Sequence, residues 1–225
     1  LLQQKVQHHQ KLLKSQKKKR KLVVRQTKFF IIFSFFGGFF INIVITGTPG
    51  VGKTTITKIL AEKLGFKIIE LNKFAIEVNG IIGYDSEKDA QIINEKIIKR
   101  ELRKILEKEN NFIIEGHWGE IVPKDFVDIV IVIRTNPLVL RERLRKKGYK
   151  EEKIKENVQA ELLDYCLIKA IEAFGEDKVF EVDNTNKEIN VVVDEIIKII
   201  KERKGNKPGK IDWIETLGDK VKEIL

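Results

Sequence analysis

An α/β fold, with a five-stranded parallel sheet flanked by helices, is predicted by three features of the sequence. From residue 41 onward, short β-branched apolar runs alternate with longer stretches of helical periodicity, the order that βαβ units require. The first and fourth runs are apolar almost without interruption, as strands covered on both faces are. A glycine-rich segment leads directly from the first run into the first helical stretch.

The strands are INIVI at 41–45, KIIEL at 67–71, FIIE at 112–115, DIVIVIR at 128–134 and KVFEV at 178–182. Helical periodicity predicts helices over 53–64, 87–109, 137–147, 154–174 and 189–203. GNKPGK at 205–210 breaks the pattern. Ile214, Leu217, Val221 and Ile224 then recur at helical spacing, which predicts a tail helix docked on the body. The chain thus divides into an N-terminal extension at 1–40, a main domain at 41–204 and a helical tail at 205–225.

With 225 residues, 42% hydrophobic and 34% charged, the chain can bury a core, which excludes collagen-like and wholly disordered classes. The net charge of +10 is localised. Residues 1–40 hold ten basic residues and no acidic one, leaving 33 basic against 33 acidic beyond them. Any polyanion affinity argued from charge therefore belongs to the extension, where KKKRK at 17–21 reads as a solvated run, with a nuclear-localisation or RNA-binding patch as the alternative. Seven of the thirteen Phe residues fall at 29–40, a stretch that spans about 18 Å as a helix against a hydrocarbon core of roughly 30 Å. No membrane span is expected. The chain begins at Leu and contains no Met, so the extension need not be native. The single cysteine, Cys166, sits in an apolar helical run and reads as a reduced core thiol.

GTPGVGKTT at 47–55 satisfies G-x-x-x-x-G-K-[ST] through Gly47, Gly52, Lys53 and Thr54. A backbone ring can surround a phosphate only where bulky side chains are absent, which Gly47, Gly50 and Gly52 allow. Lys53 then reaches the β and γ phosphates, Thr54 offers a hydroxyl to Mg²⁺, and the start of the following helix adds positive potential. FIIEGHWG places Glu115 at a strand tip, suited to holding Mg²⁺ through water, with His117 two residues on. His117 serves either proton and water chemistry or a loop cap, and Trp118 either stacks on a base or packs. After the fourth strand, RTNPLVLRERLRKKGY concentrates Arg134, Arg141, Arg143, Arg145, Lys146 and Lys147. These read as a lid closing over the transferred phosphoryl group, carried by Arg143 and Lys147 in particular, whereas Arg145 and Lys146 read as solvated.

GTPGVGKTT, EGH followed by Pro123, VIRTNPLVLRERLRKKGY, NVQAE (Asn157, Gln159, Glu161) and DNTN at 183–186 together resemble the adenylate kinase isoenzyme 6 family, over about 41–203. The resemblance implies a P-loop nucleoside monophosphate kinase fold with strand order 2-3-1-4-5. It further implies transfer of the ATP γ phosphate to AMP with Mg²⁺ as cofactor, some ATPase activity, and a role in small ribosomal subunit maturation. The implied partners are a platform ribosomal protein and the pre-ribosome, bound transiently, with no membrane; the implied location is the cytoplasm, or the nucleus in a eukaryote. Gly50, Gly52, Lys53, Thr54, Thr55 and Lys147 would bind ATP, Lys147 standing where the family usually has Arg. Lys53, Glu115, His117 and Arg143 would be catalytic, and Thr54 and Glu115 would hold the metal. Glu70, Tyr84 and Asp85 would bind the monophosphate within a segment at about 70–93, and the lid would lie at about 146–156. Ile76 stands where many members have Arg, and Asn94 where many have Asp. The alternative is an ATPase acting in ribosome assembly, with kinase activity incidental. A shikimate-kinase-like acceptor site lacks its Asp and Arg constellation.

Overall fold

The computed structural model describes residues 40–86 and 90–224. The readings made of 1–39 lie outside the described residues. In chain order the strands are β1 (Ile43–Thr46), β2 (Lys67–Glu70), β3 (Ile81–Asp85), β4 (Ala90–Ile93), β5 (Phe112–Glu115), β6 (Ile129–Arg134) and β7 (Val179–Asp183). The helices are α1 (Lys53–Leu64), α2 (Leu71–Glu77), α3 (Glu95–Leu106), α4 (Pro137–Lys146), α5 (Glu151–Leu162), α6 (Tyr165–Phe174), α7 (Ile189–Glu202) and α8 (Trp213–Leu217).

Five strands form one parallel sheet in the order β2-β5-β1-β6-β7. Counting these five alone, the order is 2-3-1-4-5, as expected. Every residue of β1, β5 and β6 is buried, which explains their uninterrupted apolar runs. The strand succession reverses at β1, whose neighbours β5 and β6 leave on opposite sides. In such sheets the crevice beyond the carboxyl ends of the strands at that point is where ligands bind. The phosphate loop of 47–53 begins there. No helix among the described residues is long and apolar enough to cross a membrane.

Three expected elements differ. The helix expected over 87–109 starts only at Glu95, because Asn94 caps it: its Oδ1 accepts the Ile97 N–H at 3.3 Å. Ahead of that cap, β3 and β4 pair as an antiparallel hairpin, with Tyr84 opposite Gln91 and Asp85 opposite Ala90. The single helix expected over 154–174 is two. Asp164 takes a left-handed φ of 57° and its carboxylate pairs with Arg134, so α5 stops at Leu162 and α6 restarts at Tyr165. In the tail, Trp213 and Leu217 are buried while Ile214 is exposed, so the docked face begins one residue earlier than the spacing suggested.

α3 packs Ile98, Leu102 and Leu106 inward and presents charged residues to solvent. Leu102→Ala is expected to cost ~2–5 kcal/mol in urea unfolding, through lost transfer energy and the cavity left behind. Ile76→Ala, at an exposed position on α2, should stay within about 0.5 kcal/mol.

Candidate functional site

The loop between β1 and α1 is shaped by what surrounds it. At Gly47, with φ 139°, a Cβ would stand 2.4 Å from the Ile133 carbonyl oxygen of β6. At Gly52, with φ 105°, it would stand 2.7 Å from the Asn184 amide nitrogen. Neither position tolerates a side chain, and both dihedrals are ones that L-residues avoid. Gly50 faces Leu140 and Leu144 of α4. Asn184 closes the loop from the β7 side: its Nδ2 donates to the Val51 carbonyl at 2.6 Å.

Lys53, at the first position of α1, is only 8% exposed. Its Nζ donates to the carbonyls of Gly47 at 2.8 Å and Thr48 at 3.1 Å. No carboxylate lies within ion-pair distance of it among the described residues. Burial holds its ammonium below the usual lysine range, Lys147 adds to that, and the carboxylates of Glu115 and Glu161 act against it. Thr54 Oγ1 donates to Glu115 Oε2 at 3.2 Å, so the hydroxyl and the strand-tip carboxylate expected to share a metal are in contact. Burial raises the Glu115 pKa, with Lys53 and the Thr54 hydrogen bond opposing. A hydroxyl and a carboxylate are hard oxygen donors, the type that suits Mg²⁺. Thr55 follows on the exposed side of α1.

A cavity of about 950 Å³ opens beside the loop, lined by Thr48, Pro49, His117, Lys147, Asn72 and Gln91 among others. It brings His117 and Lys147 to the phosphate loop on one side and the 70–93 segment on the other. The His117 ring lies edge-on to Trp118, with centroids 4.7 Å apart. Burial, with Lys53 and Lys153 adding to it, lowers the His117 pKa to about 4, so the imidazole is neutral at physiological pH.

The remaining expected residues are placed less directly. Arg143 turns toward the loop's backbone, donating to the Asn184 carbonyl at 2.8 Å and approaching the Val51 carbonyl at 3.5 Å. Burial lowers its pKa. Glu70 lies across from Glu115 in the sheet register and pairs with Lys73. Tyr84 and Asp85 do not line the cavity themselves, but their hairpin partners Gln91 and Ala90 do. Arg145 is exposed and paired with Glu142 and Glu151, and Lys146 is exposed, as their reading as solvated residues anticipated. Arg134 is corrected: it is 1% exposed at the end of β6, bound to Glu161, Glu181 and Asp164, and cannot serve in a lid. Residue-by-residue reading missed Asn184 and Thr48 as loop supports. A contact across 133 residues leaves no local signature.

An unfolded chain takes up a proton on His117 between pH 6.5 and about 4 that the folded chain does not. The contribution of this group to stability is therefore complete above pH 6.5 and falls as pH drops toward 4. At 1.36 kcal/mol per pH unit it amounts to about 3 kcal/mol. The unfolding free energy of wild type minus that of His117→Gln should rise by about this amount between pH 4 and 7. A flat difference would place the imidazole in water.

Similar proteins agree with this architecture. A family model described as an AAA domain matches residues 43–164. A "Putative adenylate kinase" of Methanocaldococcus jannaschii is 40% identical over 179 residues, covering 80% of this chain and 96% of that protein. A protein of the same name from Pyrococcus abyssi is 45% identical over 174 residues, covering 77% and 91%. In fold alone, the crystal structure of an uncharacterized protein from Eubacterium ventriosum superposes with a TM-score of 0.50 at 18% identity, covering 72% of this chain and 99% of that one. With its phosphate loop, its sheet order and these archaeal relatives matched over most of their length, the chain belongs to the adenylate kinase family of P-loop nucleoside monophosphate kinases.

Proposed function

We propose that the protein transfers the γ-phosphoryl group of ATP to AMP, giving two ADP. The observation that carries this reading is Lys53: a buried ammonium held by two neutral carbonyls, with the Thr54–Glu115 pair beside it and a cavity reaching from the loop to the 70–93 segment. A volume of about 950 Å³ is at the upper end for a small-ligand pocket. It suits a donor at the loop and an acceptor near Asn72 and Gln91.

In this reading Lys53 exchanges the Gly47 and Thr48 carbonyls for phosphate oxygens. Gly50, Gly52, Thr54 and Thr55 bind the phosphates, and Lys147 closes over them from the lid at about 146–156. Arg143, which binds the backbone beside the loop, would add positive charge behind the phosphates. Thr54 and Glu115 would hold Mg²⁺, which neutralises phosphate charge. A phosphate oxygen of AMP forms the new bond to the γ phosphorus as the bond to the bridging oxygen breaks, and the electron pair leaves with ADP. His117, neutral in the cavity, orients the acceptor or a water and carries no charge against the phosphates. Glu70, Tyr84 and Asp85 would shape the acceptor side.

The motif set that resembles the adenylate kinase isoenzyme 6 family extends the reading to ATP hydrolysis and small ribosomal subunit maturation. A neutral imidazole able to position water is what favours hydrolysis as the second activity.

A coupled assay with and without AMP tests the proposal. ADP formation should require AMP. AMP-independent turnover, together with recovery of a ribosomal protein in pull-downs, would favour the assembly ATPase instead. Lys53→Ala should lower turnover by roughly 10²–10³-fold with the fold intact by circular dichroism. His117→Ala should lower kcat by roughly 10²-fold while leaving ATP affinity within about threefold. Equal turnover in His117→Ala and wild type would reduce that residue to a loop cap.

A further inference from the structure

The phosphate loop is held from behind by a buried polar cluster that the phosphoryl-transfer reading does not use. Glu161, on α5, is 2% exposed and its carboxylate accepts four hydrogen bonds. Oε2 accepts the Thr48 hydroxyl at 2.6 Å. Oε1 accepts Arg134 Nε at 2.9 Å, the Thr135 N–H at 3.2 Å and the Trp213 indole N–H at 3.0 Å. With three of these donors on Oε1 and the Thr48 hydroxyl on Oε2, both oxygens are engaged and the carboxylate's orientation is set. Thr48 in turn supplies one of the two carbonyls that hold Lys53. One side chain therefore separates Glu161 from the lysine of the phosphate loop.

The other end of the cluster is the C-terminal tail. Arg134 also donates to Glu181 at 2.5 Å, and Glu181 Oε2 accepts the Lys210 N–H at 3.1 Å. The Glu181 N–H donates to the Asn206 carbonyl at 2.9 Å. Trp213 is buried, with its ring 5.9 Å from the Arg134 guanidinium. The tail thus reaches the cluster by backbone, by indole and by ring face. One guanidinium faces three carboxylates here, so the neutral donors are needed to satisfy the remaining oxygens.

We propose that Glu161 is a positioning residue for the phosphate loop, aiming it through Thr48, and that Trp213 of the tail locks Glu161 in that role. Removing the Thr48 hydroxyl breaks the link to the loop, and removing the indole N–H leaves Oε1 of Glu161 held by Arg134 and Thr135 alone, so that in either case the rear support of the loop loosens. The consequence falls on the donor nucleotide and not on the acceptor, because Thr48 belongs to the phosphate loop. This rests on the loop binding ATP, and the test separates the two claims.

The full chain is compared with Thr48→Val, Thr48→Ser, Trp213→Phe and the Thr48→Val/Trp213→Phe double variant. Hydrogen exchange without nucleotide is read at the peptide of 47–54 and at those of β5 and β6. Steady-state kinetics are read with ATP and AMP varied separately. Loss of one charge-assisted hydrogen bond predicts a roughly tenfold faster exchange at 47–54 in Thr48→Val and Trp213→Phe, with the sheet peptides unchanged. KM for ATP should rise roughly tenfold while KM for AMP stays within about twofold. Thr48→Ser should restore both, and the double variant should be no worse than Thr48→Val alone. Unchanged loop exchange in Thr48→Val overturns the proposal, as does uniform acceleration through the sheet or an equal rise in both KM values. Independent, additive effects of the two substitutions overturn the role of the tail. If the wild type turns over no nucleotide while loop exchange responds as described, the kinase reading fails and the positioning role stands.

Discussion

A lysine ammonium kept out of water needs a counter-charge, and among the described residues Lys53 is bonded to two backbone carbonyls and no carboxylate. Everything around it is arranged to keep that situation stable without cancelling it. Glu115 is near enough to act on the lysine electrostatically but bonds to Thr54 instead. Glu161 also acts on it from nearby but spends its oxygens on Thr48, Arg134, Thr135 and Trp213. The cation is left with neutral acceptors that a phosphate can displace. The two neighbouring carboxylates oppose the effect of burial on Lys53, favouring its charged form.

The sheet explains how such a loop is held. Gly47 abuts the Ile133 carbonyl of β6, Gly52 abuts Asn184 after β7, and Gly50 abuts α4. The loop is therefore enclosed by elements that come later in the chain, and its shape depends on β6, α4 and the segment after β7 being in place. Asn184, Arg143 and Arg134 belong to the same frame: they bind backbone or buried carboxylates next to the loop. Arg134 at the end of β6 and Arg143 in α4 thus act as struts, while Lys147 faces the cavity.

Local patterns in the sequence carried the fold where the physics is local. The strands 43–46, 67–70, 112–115, 129–134 and 179–183 follow from apolar runs, and the phosphate loop from its glycine spacing. What escaped was decided at a distance or by single residues. The β3–β4 hairpin escapes because two short strands, IIGYD and AQII, each half exposed, leave no clear apolar alternation. The break between α5 and α6 contains no Gly or Pro; it forms because Arg134, thirty residues earlier, draws the Asp164 carboxylate into its cluster. Glu161 could be seen only as part of the NVQAE segment, with no hint that its four partners come from β6, its following residue, the phosphate loop and the tail. Burial, which makes Arg134 a strut and not a lid residue, is equally invisible in a run of arginines and lysines.

In the proposed function the loop around Lys53 grips the phosphate tail of a nucleotide with help from the Thr54–Glu115 pair. Calorimetric titration of ATP into the wild-type chain and Lys53→Ala, with and without Mg²⁺, tests it most directly. Saturable uptake by the wild type, tighter with Mg²⁺, is expected, with a loss of at least about tenfold in affinity in Lys53→Ala. No uptake by the wild type, or equal affinity in the two chains, would contradict it.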